Sequence, residues 1–211
     1  MSTVPPRLRR RAAAVLAAAG VVAGAWLLED GATARGPAAP PVAAGDPAAD
    51  LGVSADARTP LARSVPVRLT VPTLRLNAPL VPVGLDAQRH VEPPPLNRPK
   101  VAGWYAGGAT PGSAGTAVIV GHVDDDHGAA VFFLLGRLRP GDPVRVRLRN
   151  GATATFRVDA VRLYPKDRFP DRLVYAGRRG TAQLRLITCG GRWDRRDGYS
   201  ANTVVFAHLA R

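Results

Sequence analysis

Cys189 and His122 carry most of the chemistry that this 211-residue chain offers. Cys189 is the single cysteine. Each residue follows an apolar, β-branched run and has a glycine beside it. Ala117-Val118-Ile119-Val120 leads into Gly121-His122, and Leu184-Arg185-Leu186-Ile187-Thr188 leads into Cys189-Gly190-Gly191. Runs of this kind read as strands, so two rigid strand ends each deliver one reactive side chain to a place where the backbone can open onto a cleft. A thiolate attacks carbonyl carbon, and an imidazole passes a proton to a departing amine near neutral pH. Spacing alone leaves a second possibility for each residue. A lone cysteine also suits a small buried hydrophobe, and a lone histidine a structural position. A single cysteine excludes an intramolecular disulfide framework and any cysteine-rich metal site.

The elements that would position this pair lie between about Ser64 and Arg211. Strands are expected at Val67–Val71, Leu80–Val83, Ala117–Val120, Val144–Leu148, Thr153–Leu163, Leu184–Thr188 and Thr203–Ala207. Pro140-Gly141-Asp142 and Asn150-Gly151 are turn signals, the second of them flanked by alternating residues as in a hairpin. Val131 to Leu138 is the one short helix the pattern allows. Seven or eight short strands with one or two helical turns point to a mostly-β fold, a closed or nearly closed barrel.

Two segments precede it. Residues 1–30 hold Arg7, Arg9, Arg10 and Arg11, followed by an uncharged run from Ala12 to Leu28. As a helix that run extends about 25 Å, enough for a signal or membrane anchor with its N-terminus inside by the positive-inside rule. Export follows on either account. Ala32-Thr33-Ala34 leaves signal-peptidase cleavage open, and a retained single-pass anchor is the preferred reading. Residues 31–63, rich in Pro, Ala and Gly and without aromatics, read as a disordered spacer. An unpaired cysteine outside the cell is a liability unless its thiol is used, which favours the nucleophile over the buried hydrophobe.

Against this background the chain resembles the sortases, cysteine transpeptidases of Gram-positive surfaces. The segment LRLITCGGRWDRRDGYSANTVVFA, Leu184 to Ala207, resembles the strand–Cys–loop–strand signature of that family. AVIVGHVD, Ala117 to Asp124, is similar to its histidine strand, and further likeness runs through Val67 to Asp86 and Pro93 to Tyr105. The TCGG form together with G-W-Y is most similar to the actinobacterial class F members. The resemblance implies an eight-stranded sortase-type β-barrel over residues 64–211 and a Cys–His–Arg site needing no cofactor or metal. Cys189 would attack a Thr–Gly-type bond of a C-terminal sorting signal, and His122 would protonate the leaving amine. An amine such as a cell-wall precursor would then resolve the thioacyl enzyme. The arginine is expected at Arg195, with Arg192 and Arg196 as alternatives, because the family's usual offset falls here on Asn202. Thr188 and Trp193 are the expected substrate contacts. A cysteine-type L,D-transpeptidase is disfavoured, since Thr188 and not Gly precedes Cys189.

The remaining features give the pair little competition. Asp124-Asp125-Asp126-His127 reads as a polar turn rather than a calcium site, because adjacent residues on a strand cannot all face one ion. His90 and His208 read as structural. Basic residues outnumber acidic ones 22 to 11 from Ser64 onward, but they are scattered and no recognition helix or aromatic platform accompanies them. Nucleic acid is therefore not an expected partner. The expectation is a monomeric, membrane-tethered enzyme with its catalytic domain outside. The alternative is a non-catalytic exported barrel that binds anionic envelope polymers.

Overall fold

The computed structural model describes residues 59–176 and 180–210. The expected anchor and most of the expected spacer lie outside these residues. Ten strands follow in chain order: β1 (Pro66–Val71), β2 (Leu76–Val83), β3 (Ala102–Tyr105), β4 (Gly115–Val120), β5 (Asp124–Asp125), β6 (Gly128–Ala129), β7 (Pro143–Leu148), β8 (Thr153–Pro165), β9 (Ala182–Asp194) and β10 (Gly198–Leu209). Eight of them close into one barrel in the order β1-β2-β3-β4-β9-β10-β8-β7, while β5 and β6 form a small separate hairpin. Most neighbours are antiparallel; β2–β3 and β4–β9 are parallel.

Strand alternation explains the core. Every second side chain faces inward, so Leu69 and Val71 of β1, Ala117 and Ile119 of β4, Val144 and Val146 of β7, and Leu184 and Leu186 of β9 meet in one buried cluster. The opposite face of β4, β8, β9 and β10 is apolar too. Val118, Val120, Ala160, Tyr164, Ile187, Val204 and Phe206 form a second cluster there with Val174, and Phe169 and Tyr175 pack against it. Val174 and Tyr175 belong to a π turn at Arg172–Ala176, and Phe169 precedes it. The segment after β8 is thus held on the outside of the barrel by its own apolar residues. Arg185 lies in this outer layer, its guanidinium 4.5 Å from the centre of the Phe206 ring and donating to Gln183 Oε1 at 2.8 Å. Burial lowers its pKa to about 10, which leaves it charged at neutral pH.

Three differences from the sequence expectations have physical causes. The strand β3 has no alternating pattern. It exists as the parallel partner of β2, and a Cβ at Gly103 would stand 2.7 Å from Val83 Cγ1. The stretch Val131–Leu138 is not an α-helix: only a 3₁₀ turn forms, at Leu135–Arg137. Phe132, Leu135 and Leu138 recur every three residues, the period that aligns side chains on a 3₁₀ turn, and all three enter the main core. Finally, Leu61, within the expected spacer, packs against the barrel and donates its N–H to Gly112 O at 2.7 Å.

Phe132 is fully buried where this turn meets the core. Phe132→Ala is expected to lower unfolding stability by about 3–5 kcal/mol, measured by urea denaturation of the purified domain.

Candidate active site

Both reactive residues sit just past the end of the parallel β4–β9 ladder. In the β4–β9 pair Val120 lies opposite Ile187, and Gly121 N–H donates to Ile187 O at 3.1 Å as the ladder closes. His122 is two residues beyond Val120 and Cys189 two beyond Ile187. The shared register therefore brings them to matching positions, each continuing the outer face of its strand. Beyond this point β9 runs on with β10, where Asn202 lies opposite Cys189, while the chain after β4 turns away. The divergence opens a cavity of about 600 Å³ lined by Cys189, His122 and Asn202 together with the segment after β8.

Glycine is required at Gly121 by a close approach: a Cβ there would stand 2.6 Å from Val131 Cγ1 and 2.8 Å from Phe132 Cδ2. The backbone at His122 is held in turn by Phe132 N–H, which donates to His122 O at 2.9 Å. The ring is fixed as well. His122 Nε2 lies 2.7 Å from Pro94 O. A backbone carbonyl only accepts, so Nε2 carries the proton and Nδ1 remains for exchange with a reacting group.

Cys189 is partly exposed in the cavity. Burial pushes its thiol above the ordinary range; the Lys166 charge works against that rise, and the Asp124 carboxylate adds to it. Asp124 also accepts a hydrogen bond from the Tyr199 hydroxyl, which ties the segment after His122 to β10. Burial first, and then this bond, raise the Tyr199 pKa far above that of a free phenol. The acidic run forms the β5–β6 hairpin, with Asp125 Oδ1 accepting from His127 N–H at 2.8 Å.

The expected site residues divide into two groups. Cys189, His122 and Thr188 line one cavity. Thr188 is buried, its hydroxyl has no hydrogen-bond partner, and alternation directs its side chain to the strand face opposite that of Cys189. Trp193, 48 % exposed, and Arg195 do not line the cavity. Trp193 lies near the end of β9 opposite Tyr199, and Arg195 opens the turn between β9 and β10. That turn is closed by Asp194 Oδ1 accepting from Arg196 N–H at 2.8 Å and by Gly198 at φ +67°. Arg195 follows Cys189 by six residues, beyond an irregularity in the β9–β10 ladder where Gly191 takes φ +80°, and it lies outside the cavity that Cys189 lines. Among residues the sequence did not single out, Lys166, Arg168 and Tyr175 line the cavity from the segment after β8, and Asp86 lines it from the segment after β2, beside His90. His90, expected to be structural, lies 3.4 Å from Asp86 Oδ2 at this rim. His208 is far along β10, 2.5 Å from Asp159 Oδ1.

A family model described as "Sortase domain" matches residues 69–210. Among solved structures, the chain is similar to a lid mutant of sortase A from Corynebacterium diphtheriae, at 23 % identity and a TM-score of 0.53 over 72 % of this chain and 73 % of that one. It is also similar to sortase C1 from Streptococcus agalactiae, at 19 % identity and 0.52 over 69 % and 67 %. For sortase C-1 from Actinomyces oris the values are 20 % identity and 0.53 over 69 % and 71 %. At these identities the likeness to solved structures is one of fold. No curated protein matches the chain.

Because burial raises the thiol, its alkylation by iodoacetamide is expected to gain rate with pH to a midpoint above that of a free cysteine. Asp124→Asn, which keeps an acceptor for Tyr199 but removes the charge, is expected to lower that midpoint. Rate profiles of the two proteins against pH check both statements.

Proposed function

This chain belongs to the sortase family and is a cysteine transpeptidase, and we propose that Cys189 is its nucleophile and His122 its proton donor. The observation that carries this assignment is the parallel β4–β9 register, which sets both side chains at one end of one cavity. The thiol of Cys189 passes its proton to His122 Nδ1, which makes the ring an imidazolium. The thiolate then attacks the carbonyl carbon of the scissile peptide bond, and the carbonyl oxygen takes the negative charge. As the tetrahedral intermediate collapses, the leaving amine takes a proton from His122 Nδ1, the nitrogen not committed to Pro94 O. A thioester remains on Cys189. An incoming amine gives up a proton to His122, attacks the thioester and releases the thiol with a new amide bond; water in the same role gives hydrolysis.

The substrate proposed is a C-terminal sorting signal cleaved at a Thr–Gly-type bond, and the acceptor an amine of the cell envelope. Support comes from the likeness of Leu184–Ala207 to class F members, which remains a proposal at the subfamily level. The backbone of Thr188 in the cavity wall and Trp193 on the hairpin are proposed as peptide contacts. For Arg195 the proposal is limited to the substrate complex: from the hairpin turn it reaches the acyl oxygen only if bound peptide draws that turn over the cavity. Residues 1–30 are proposed to tether a monomeric enzyme with its catalytic domain outside the cell, held there by a single-pass anchor. A barrel that merely bound anionic polymers would have no use for a thiol opening on a cavity beside a fixed imidazole.

Incubation with a sorting-type peptide is expected to leave a thioester on Cys189 detectable by intact-protein mass spectrometry. Cys189→Ala is expected to abolish the adduct, and His122→Ala to lower transpeptidation at least about a hundred-fold, the scale of general acid–base catalysis. Full activity in either variant would sink the assignment.

A further inference from the structure

A thiol in a desolvated position needs a nearby positive charge if its anion is to form at neutral pH. The three arginines named as candidates for the site, Arg192, Arg195 and Arg196, lie out along the β9–β10 hairpin, and none lines the cavity. The residue directly across the ladder from Cys189 is the uncharged Asn202. We propose that Lys166, on the 3₁₀ turn that follows β8, is the positioning cation of the active site and holds the anionic form of Cys189 in the free enzyme. This deepens the transpeptidase reading and rests on it.

Register brings Lys166 there. On β10, Asn202 lies opposite Cys189 on one side and opposite Tyr164 of β8 on the other. Two strand spacings, about 10 Å, therefore separate the end of β8 from Cys189. Lys166 is two residues past Tyr164, and its flexible four-carbon stem lets the ammonium turn into the cavity it lines with Cys189 and His122. The turn itself is pinned from beyond, since Phe169 and Tyr175 pack on the outer apolar cluster. An ammonium is a compact point charge, suited to a sulfur anion, which offers no planar pair of acceptors for the guanidinium fork.

Other charges surround the pair. Asp86 and His90 face the cavity from the segment after β2, and His122 from the end of β4. Asp167, Arg168, Asp171 and Tyr175 face it around Lys166 itself. Asp124 and Tyr199 interact with the thiol from β5 and β10. The charges felt most at the sulfur are two: Lys166, which favours the thiolate, and Asp124, which opposes it.

The test compares iodoacetamide alkylation of Cys189 from neutral to alkaline pH in the wild type, Lys166→Gln, Lys166→Arg and Arg168→Gln. Lys166→Gln is expected to move the midpoint to higher pH and slow alkylation at neutral pH about three- to ten-fold. Lys166→Arg, which keeps the charge, is expected to recover most of the rate. Arg168→Gln removes a charge from the same wall and is expected to shift the profile less. An unmoved midpoint in Lys166→Gln, or an equal shift in Arg168→Gln, overturns the proposal. Thioester formation by the wild type with a sorting-type peptide is read separately. A thioester with an unmoved midpoint overturns the role of Lys166 alone, whereas a moved midpoint without any thioester upholds it and overturns the substrate reading.

Discussion

The molecule depends on the parallel pairing of β4 with β9. It joins strands that are distant in sequence, and its register brings the histidine and the cysteine to matching positions. Parallel neighbours cannot be joined by a tight turn, so the chain makes its long excursion through the β5–β6 hairpin, β7 and β8 before returning. The last part of that excursion, the segment after β8, also supplies one wall of the cavity. Because both residues follow the last pair of the same ladder, a one-residue slip of either strand would turn its reactive side chain to the opposite face. Such a slip would also drive Leu184 and Leu186 out of the core, so the packing of the interior enforces the catalytic register.

A second apolar layer on the outside of the same strands has two opposing effects on chemistry. It carries the segment after β8 and so encloses the site, but enclosure takes water from the thiol and disfavours its anion. The charges nearest the sulfur divide between Lys166 and Asp124. Asp124 serves a mechanical purpose through Tyr199, tying the segment after His122 to β10, and its charge makes the thiolate harder to form. Reactivity here is the balance of a fold that must be tight and a nucleophile that must ionise.

How far these features can be read from sequence depends on whether they leave a mark on residue type. Seven strands show alternation or β-branched runs, and their cores lie within the observed elements. The eighth barrel strand, β3, is defined by its neighbours, and its Gly103 marks a close approach instead of a hydrophobic period. Leu135–Arg137 was legible as a helical turn but not in type, since three-residue spacing over one turn resembles a fragment of a longer helix. At the site, Cys189 and His122 announce themselves through strand ends followed by glycine or preceded by it. The carbonyl of Pro94 has no side-chain signature, and the approach of Lys166 is set by β8–β10 register and by the packing of Phe169 and Tyr175, which no local pattern encodes. Arg195 illustrates the converse: proximity along the chain suggested a partner, and an extended hairpin carried it away.

The single cysteine has an analytical consequence. Since Cys189 is the chain's only thiol, every sulfhydryl equivalent in a pure sample is one copy of the proposed nucleophile, and a colorimetric thiol count is at once a titration of that site. Oxidation is equally simple to follow. No second cysteine can resolve a sulfenic acid within the molecule, so peroxide would carry Cys189 either to a mixed disulfide with an outside thiol or up to the sulfinic and sulfonic acids. Oxidation of this thiol and loss of the proposed nucleophile are therefore one quantity, readable from the mass of the intact chain.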